Sequence, residues 1–147
     1  MNYEFLDRLR SVEHEYVACR AALEYAIREW PNVFDSPEWT SRGLGQAQEA
    51  LRRLEDTYVI RLFSEFEAVL REYWLATVRS AVPVRVDTLM NRLGSRHRVP
   101  AQIRAGAHAV QHHRNALVHC GAPAAARVAL GNARRALNRF LAVLPDV

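Results

Sequence analysis

Between residues 46 and 79, apolar side chains recur at steps of three and four along two stripes of one segment. Leu51, Leu54, Tyr58, Leu62, Phe66, Val69, Tyr73 and Ala76 make the first stripe. Val59, Phe63, Leu70 and Trp74 make the second, beside it. Steps of three and four return to the same side of an α-helix, so the segment reads as a long helix that is apolar over more than one face. Such a helix stands at the centre of a bundle, or it also meets a partner subunit.

A second long helix is expected over residues 2–29. Leu6, Leu9, Val12, Tyr16, Leu23, Ile27 and Trp30 share one stripe, and Pro31 stops the ladder. Residues 31–44, with two prolines and a glycine, read as a loop. Val33, Phe34 and Trp39 are expected to tuck against the bundle, with a mobile lid as the alternative. After the turn at residues 81–84, Asp87 can cap a short helix from Thr88 to Leu93 that Gly94 ends. Pro100 suits the first position of a helix running to about His119, where Gly121 and Pro123 stop it. A last helix spans about residues 124–144, with Val128, Leu130, Leu137, Phe140, Leu141 and Leu144 on its apolar side. No alternating run and no Asn-Gly hairpin signals a strand. The expected fold is therefore all-α, an up-and-down bundle of four main helices plus one short helix in a single domain over residues 1–147.

No apolar run approaches the roughly 18 residues of a membrane span, and the N-terminus lacks the layout of a signal peptide. The two cysteines, Cys19 and Cys120, form no spaced framework and read as free thiols in a reducing, cytoplasmic compartment. The charge is unevenly spread. Residues 1–80 hold 10 arginines against 14 acidic residues; residues 81–147 hold 10 arginines against Asp87 and Asp146 only, with five of the six histidines. All 20 basic residues are arginine, which a GC-rich genome would also produce. Either the basic half suits a phosphate-bearing partner, or the two halves neutralise each other within the fold. Within the basic half, Arg92, Arg96, His97 and Arg98 form a run able to hold a phosphate backbone, or an ordinary solvated loop.

The chemistry-bearing residues lie on helix 100–119. At about 100° per residue, Ile103, Ala107, Val110 and Leu117 fall on the core side, and His108, His112, Asn115 and His119 fall opposite. Two readings follow. His108 and His112 at i, i+4 can share a metal ion, although no acidic residue lies near them in sequence. Alternatively, the stretch supplies metal-free phosphodiester cleavage: an imidazole as acid or base, an arginine for the phosphate charge, and an amide to orient them. Arg114 and His119 are separated by about 140° around an ideal helix. For them to meet, the helix end distorts, the arginine reaches round, or two chains combine. Taken singly, Arg114 also reads as a structural arginine, and His119 as a C-terminal cap suited to the helix dipole.

Arg114-Asn115, three residues, then His119 at the end of a helix resembles the Arg-x4-His motif of HEPN (higher eukaryotes and prokaryotes nucleotide-binding) domains. Phe66-Glu67-Ala68-Val69-Leu70-Arg71 is similar to a segment of the second helix in small stand-alone ribonuclease-type members. The resemblance spans about residues 45–145. It implies a dimerising four- or five-helix bundle in which two motifs face each other across a cleft and form a composite RNA site. It assigns Arg114 to phosphate binding, Asn115 to orientation and His119 to acid or base catalysis. Glu67, with Glu65 behind it, would be the acidic residue of the second helix. Arg96, Arg98, His112 and His113 are the expected RNA contacts. Cleavage would leave a 2′,3′-cyclic phosphate and a 5′-hydroxyl, with no metal and no other cofactor. The implied roles are toxin–antitoxin systems, with a cognate antitoxin protein as partner, or phage defence. Some members are inactive and serve as modules that bind a partner protein or nucleotide.

Overall fold

The computed structural model describes residues 3–33, 37–78, 80–119 and 124–146, and among them all regular structure is helical. The elements are α1 (Tyr3–Arg28), α2 (Trp30–Val33, a single turn), α3 (Pro37–Val78), α4 (Val86–Arg96), α5 (Ala101–Val118) and α6 (Leu130–Ala142). Helices α1, α3, α5 and α6 form the bundle, and α4 is the short helix laid against α3 and α5.

Helix α3 is the axis. Tyr58, Val59, Leu62, Phe63, Phe66, Val69, Leu70, Tyr73 and Trp74 are all buried, so both stripes face the core between Tyr58 and Trp74; Leu54 packs against it partly buried, Leu51 is half-buried and Ala76 is exposed. Helices α1, α5 and α6 surround this stretch. Phe66 anchors it, with its ring 5.8 Å from Phe63 and 5.7 Å, edge-on, from Phe140 of α6. Fully burying a side chain of this size contributes roughly 1.5–3 kcal/mol. Helix α1 runs antiparallel to α3, fastened by Arg8 to Glu65 and Glu72 and by Arg61 to Glu15. Leu9 and Val12 bury at its N-terminal end, whereas Val17 and Tyr25 stay exposed toward its C-terminal end. Cys19 is a free thiol that accepts the Tyr58 hydroxyl hydrogen at 3.2 Å. That bond, more than burial, pushes the Tyr58 phenol up to about 12.

Several expected boundaries are corrected. Residues 37–44 are helical, not loop: Pro37 begins α3, where a missing N–H costs nothing, and the helix carries Gly43 and Gly45 inside it. Of the residues expected to tuck in or form a lid, Phe34 and the side chains of Val33 and Trp39 lie outside the described residues, as do Cys120, Gly121 and Pro123. Residues 124–129 are non-helical, and α6 begins only at Leu130, whose N–H bonds Glu55 at 3.1 Å. Asp87 sits inside α4, with Arg85 at the cap position. Helix α4 also runs through Gly94 to Arg96. A Cβ on Gly94 would lie 2.6 Å from Arg104 Cδ, so that glycine is a packing point for α5. The true stop is a Schellman turn. Val99 N–H bonds Gly94 O at 2.8 Å and Arg98 N–H bonds Ser95 O at 3.3 Å, with Arg98 at φ 53° in the left-handed position that glycine usually takes.

Candidate functional site

The inward row of α5 is Ile103, Ala107, Val110, Arg114 and Leu117, at steps of four, three, four and three. Ala107 and Val110 are fully buried, and Ile103 and Leu117 pack against the core. Arg114 thus occupies a core-row position, as its angle on the helix requires. It is half-buried. Its Nε is shut off from water with no hydrogen-bond partner among the described residues, and its Nη1 donates to Asn115 Oδ1 at 3.1 Å. The guanidinium is therefore held locally, toward the amide that follows it in the chain.

The opposite side of α5 opens onto a groove of about 820 Å³. His108, His112 and Asn115 line it from α5, Asp87 and Asn91 from α4, Arg85 from the segment before α4, and residues 124–126 from the stretch before α6. Five alanines, Ala105, Ala109, Ala124, Ala125 and Ala126, form much of the wall, and their short side chains are what leave the space. His108 is locked. Its Nδ1 lies 3.1 Å from Gln111 Oε1 and its Nε2 3.0 Å from Asn91 Oδ1. Gln111 is itself only 7 % exposed, so this amide–imidazole–amide bridge is a fixed tie between α4 and α5. Both ring nitrogens are engaged, which weighs against His108 sharing an ion with His112. Among the described residues no three His, Cys, Asp or Glu side chains converge as metal ligands. His112 is exposed in the groove with no hydrogen-bond partner among the described residues. At the mouth, Arg85 grips Asp87 through Nε at 3.1 Å and Nη2 at 2.7 Å, and this holds the Asp87 carboxyl below its usual range.

The remaining expected site residues are dispersed. His119 is exposed and sits at the C-cap, where the backbone leaves the helix (φ −108°, ψ 116°) and its N–H bonds Asn115 O at 2.9 Å. It does not line the groove, and no hydrogen bond joins it to Arg114 among the described residues. Glu67 pairs with Arg71 at 2.6 Å, and Arg71 also donates to Pro83 O and Val84 O, so Glu67 braces the α3–α4 connection outside the groove. Glu65 is bound by Arg8. His113, expected on the RNA surface, is 5 % exposed, and its Nε2 is buried without a hydrogen-bond partner. It faces inward because one residue turns the helix by about 100°, which separates it from His112. An imidazole sealed in this way does not reach a strand lying outside. Arg96 and Arg98 are exposed at the end of α4, and Arg96 lines a second recess there.

Sequence reasoning missed Arg85, Asn91 and Gln111. The available signal was Asp87 and Asn91 at i, i+4 on the polar side of a short helix. That spacing becomes informative only once α4 is known to lie across α5.

The arginines divide by region. Arg8, Arg10, Arg20, Arg28, Arg52, Arg53, Arg61 and Arg71 of α1 and α3 each pair with an acidic residue of those same helices or of the link just after α1. Of the basic half, two reach acidic partners in α1 and α3 among the described residues. Arg127 contacts Glu55 at 3.2 Å and Asp56 at 3.7 Å. Arg134 lies with Nε 2.5 Å from Glu13, at an angle too bent to count as a hydrogen bond from Nε. The acidic half thus consumes mostly its own arginines. Arg92, Arg96, Arg98, Arg104, Arg114, Arg135 and Arg139 pair with no carboxylate among the described residues. Self-neutralisation accounts for only a small part of the asymmetry.

Comparison of the chain with protein-family models, with curated proteins and with solved structures finds no match.

Proposed function

We propose that the chain is a metal-independent endoribonuclease of the HEPN type. The observation that carries this reading is the groove on the outer side of α5. It offers an imidazole, His112, and an amide, Asn115, one turn before His119; among the described residues that imidazole has no hydrogen-bond partner and most arginines of this half pair with no carboxylate. In the proposed reaction one imidazole removes the ribose 2′-hydroxyl proton and the oxygen attacks phosphorus. A second proton donor then protonates the departing 5′-oxygen, leaving a 2′,3′-cyclic phosphate and a 5′-hydroxyl. His119 is the foremost acid or base, and Arg114 carries the phosphate charge once its guanidinium turns from Asn115. Homodimerisation is part of the proposal, because a second copy can bring an arginine to a histidine that its own chain holds apart. A toxin or phage-defence role in the cytoplasm, with a cognate antitoxin, completes the reading.

A second reading is favoured by one specific observation. Arg114 sits in the core row with its guanidinium bonded to Asn115, as a structural arginine would be. On that reading the protein is an inactive helical module that binds a partner protein or nucleotide.

Purified protein, mixed RNA and excess EDTA separate the two. The ribonuclease reading expects cleavage that survives EDTA and is abolished in His119→Ala and Arg114→Ala variants that keep their helical circular dichroism. His119→Ala cleaving like the parent would remove His119 from the mechanism. Saturable RNA or nucleotide binding with no turnover would favour the module.

A further inference from the structure

Beside the groove lies a second recess of about 500 Å³, lined by Trp74, Thr88, Asn91, Arg92, Ser95 and Arg96. It opens on the outer side of α4, where that helix rests on the end of α3. Asn91 lines both hollows, so the two adjoin across α4 at a single residue. We infer that this recess binds a phosphodiester and its nucleotide flanking the groove on a single strand of RNA. The inference rests on the RNA-cleaving reading of the groove and specifies how the strand reaches it.

Arg92 and Arg96 stand at i, i+4 on one face of α4, with Cβ atoms about 5–6 Å apart. That is close enough for two guanidinium forks to hold one phosphate between them. Both are exposed, and neither meets a carboxylate among the described residues, whereas α1 and α3 pair off their arginines nearly throughout. Thr88 and Ser95 add hydroxyls on the same wall. Trp74 forms the inner wall. Its indole N–H is already given to Ser80 O at 3.2 Å and the side chain is only 5 % exposed, so it closes the recess as an apolar floor and gives the strand no hydrogen bond. Arg98, two residues past Arg96 and beyond the end of α4, places a further cation near the recess at a left-handed backbone position that glycine would fill with less strain. Asn91 lies 3.0 Å from His108 Nε2, so the ridge between the hollows is tied to α5. A recess of about 500 Å³ has room for one nucleotide, and an unpaired strand is free to turn a base into it.

The test uses a fluorescent single-stranded RNA and the full chain carrying His119→Ala, so that binding is read without turnover. Anisotropy titrations are run over a range of salt concentrations. Adding Arg92→Ala and Arg96→Ala together is expected to weaken binding on the order of tenfold. It should also flatten the dependence of log K on log salt by about 0.7 for each phosphate that the protein no longer neutralises. Adding Arg52→Ala and Arg53→Ala, which removes the same charge from α3, should change neither. Duplex RNA of the same sequence should bind more weakly than the single strand. Unchanged affinity and slope in the Arg92/Arg96 variant would overturn the inference, as would an equal loss in the Arg52/Arg53 control or a preference for duplex. If Arg92 and Arg96 prove necessary for binding but the parent never cleaves, the subsite stands and only the ribonuclease reading falls. If the parent binds no RNA, both fall.

Discussion

The residue that ends α4 offers a test of backbone strain with little else changing. Arg98 adopts φ 53° in the Schellman turn, and the turn is closed by Val99 N–H on Gly94 O and Arg98 N–H on Ser95 O. A side chain with a Cβ in this region costs roughly 1–2 kcal/mol. Glycine escapes that cost but loses about 0.4–1 kcal/mol more conformational entropy on folding. Arg98→Gly is therefore expected to be more stable than Arg98→Ala by about 1 kcal/mol. Both variants lose the same exposed guanidinium, so their difference isolates the backbone. In a chain of 147 residues this corresponds to a melting temperature about 2–4 °C higher for the glycine variant. Urea unfolding followed by circular dichroism at 222 nm provides an independent value. Equal stability of the two variants, or a more stable alanine, would refute the reasoning, because it would mean that the left-handed turn is not the conformation held in solution.

Two further expectations concern histidines. His113→Leu removes a buried Nε2 that has no partner among the described residues while keeping similar bulk, so it should leave stability unchanged or raise it by up to about 2 kcal/mol, measured by urea denaturation; a loss of more than about 1 kcal/mol would refute this. Burial, and then the neighbouring Arg96, lower the His97 pKa below 6.5. As pH falls below that value the unfolded chain takes up a proton that the folded one resists, so the His97 contribution is complete above 6.5 and is lost progressively below it. His97→Asn should therefore lose less stability than the parent between pH 7 and 5, and equal slopes would dismiss the effect.

Much of the architecture was legible because helical burial is periodic. From Tyr58 to Trp74 the double stripe of α3 names the residues that are buried, though Ala76 at its end is exposed, and one angle per residue separates Ala107 and Val110 from His108 and His112. The same angle placed Arg114 toward the core. It also turns His113 inward, away from the His112 side, so the expectation of an RNA contact there neglected the period. Helix ends were less legible. Gly94 looks like a stop, but its missing Cβ admits Arg104, while the stop falls on an arginine, a residue type seldom found at positive φ.

The candidate site divides in the same way. Composition and order along the chain were sufficient to find a histidine-rich face, an arginine-rich half and an all-α bundle, since each is a property of one helix or of a count. Which charges remain unpaired depends on contacts between helices. Arg8 finds Glu65 and Glu72 across the α1–α3 seam, whereas Arg92 and Arg96 find no carboxylate among the described residues. The groove is likewise a product of packing. It exists because α4 crosses α5 at Asn91 and His108, and because alanines from two separate segments face each other there. Such meetings join residues far apart in sequence, and local periodicity carries no information about them.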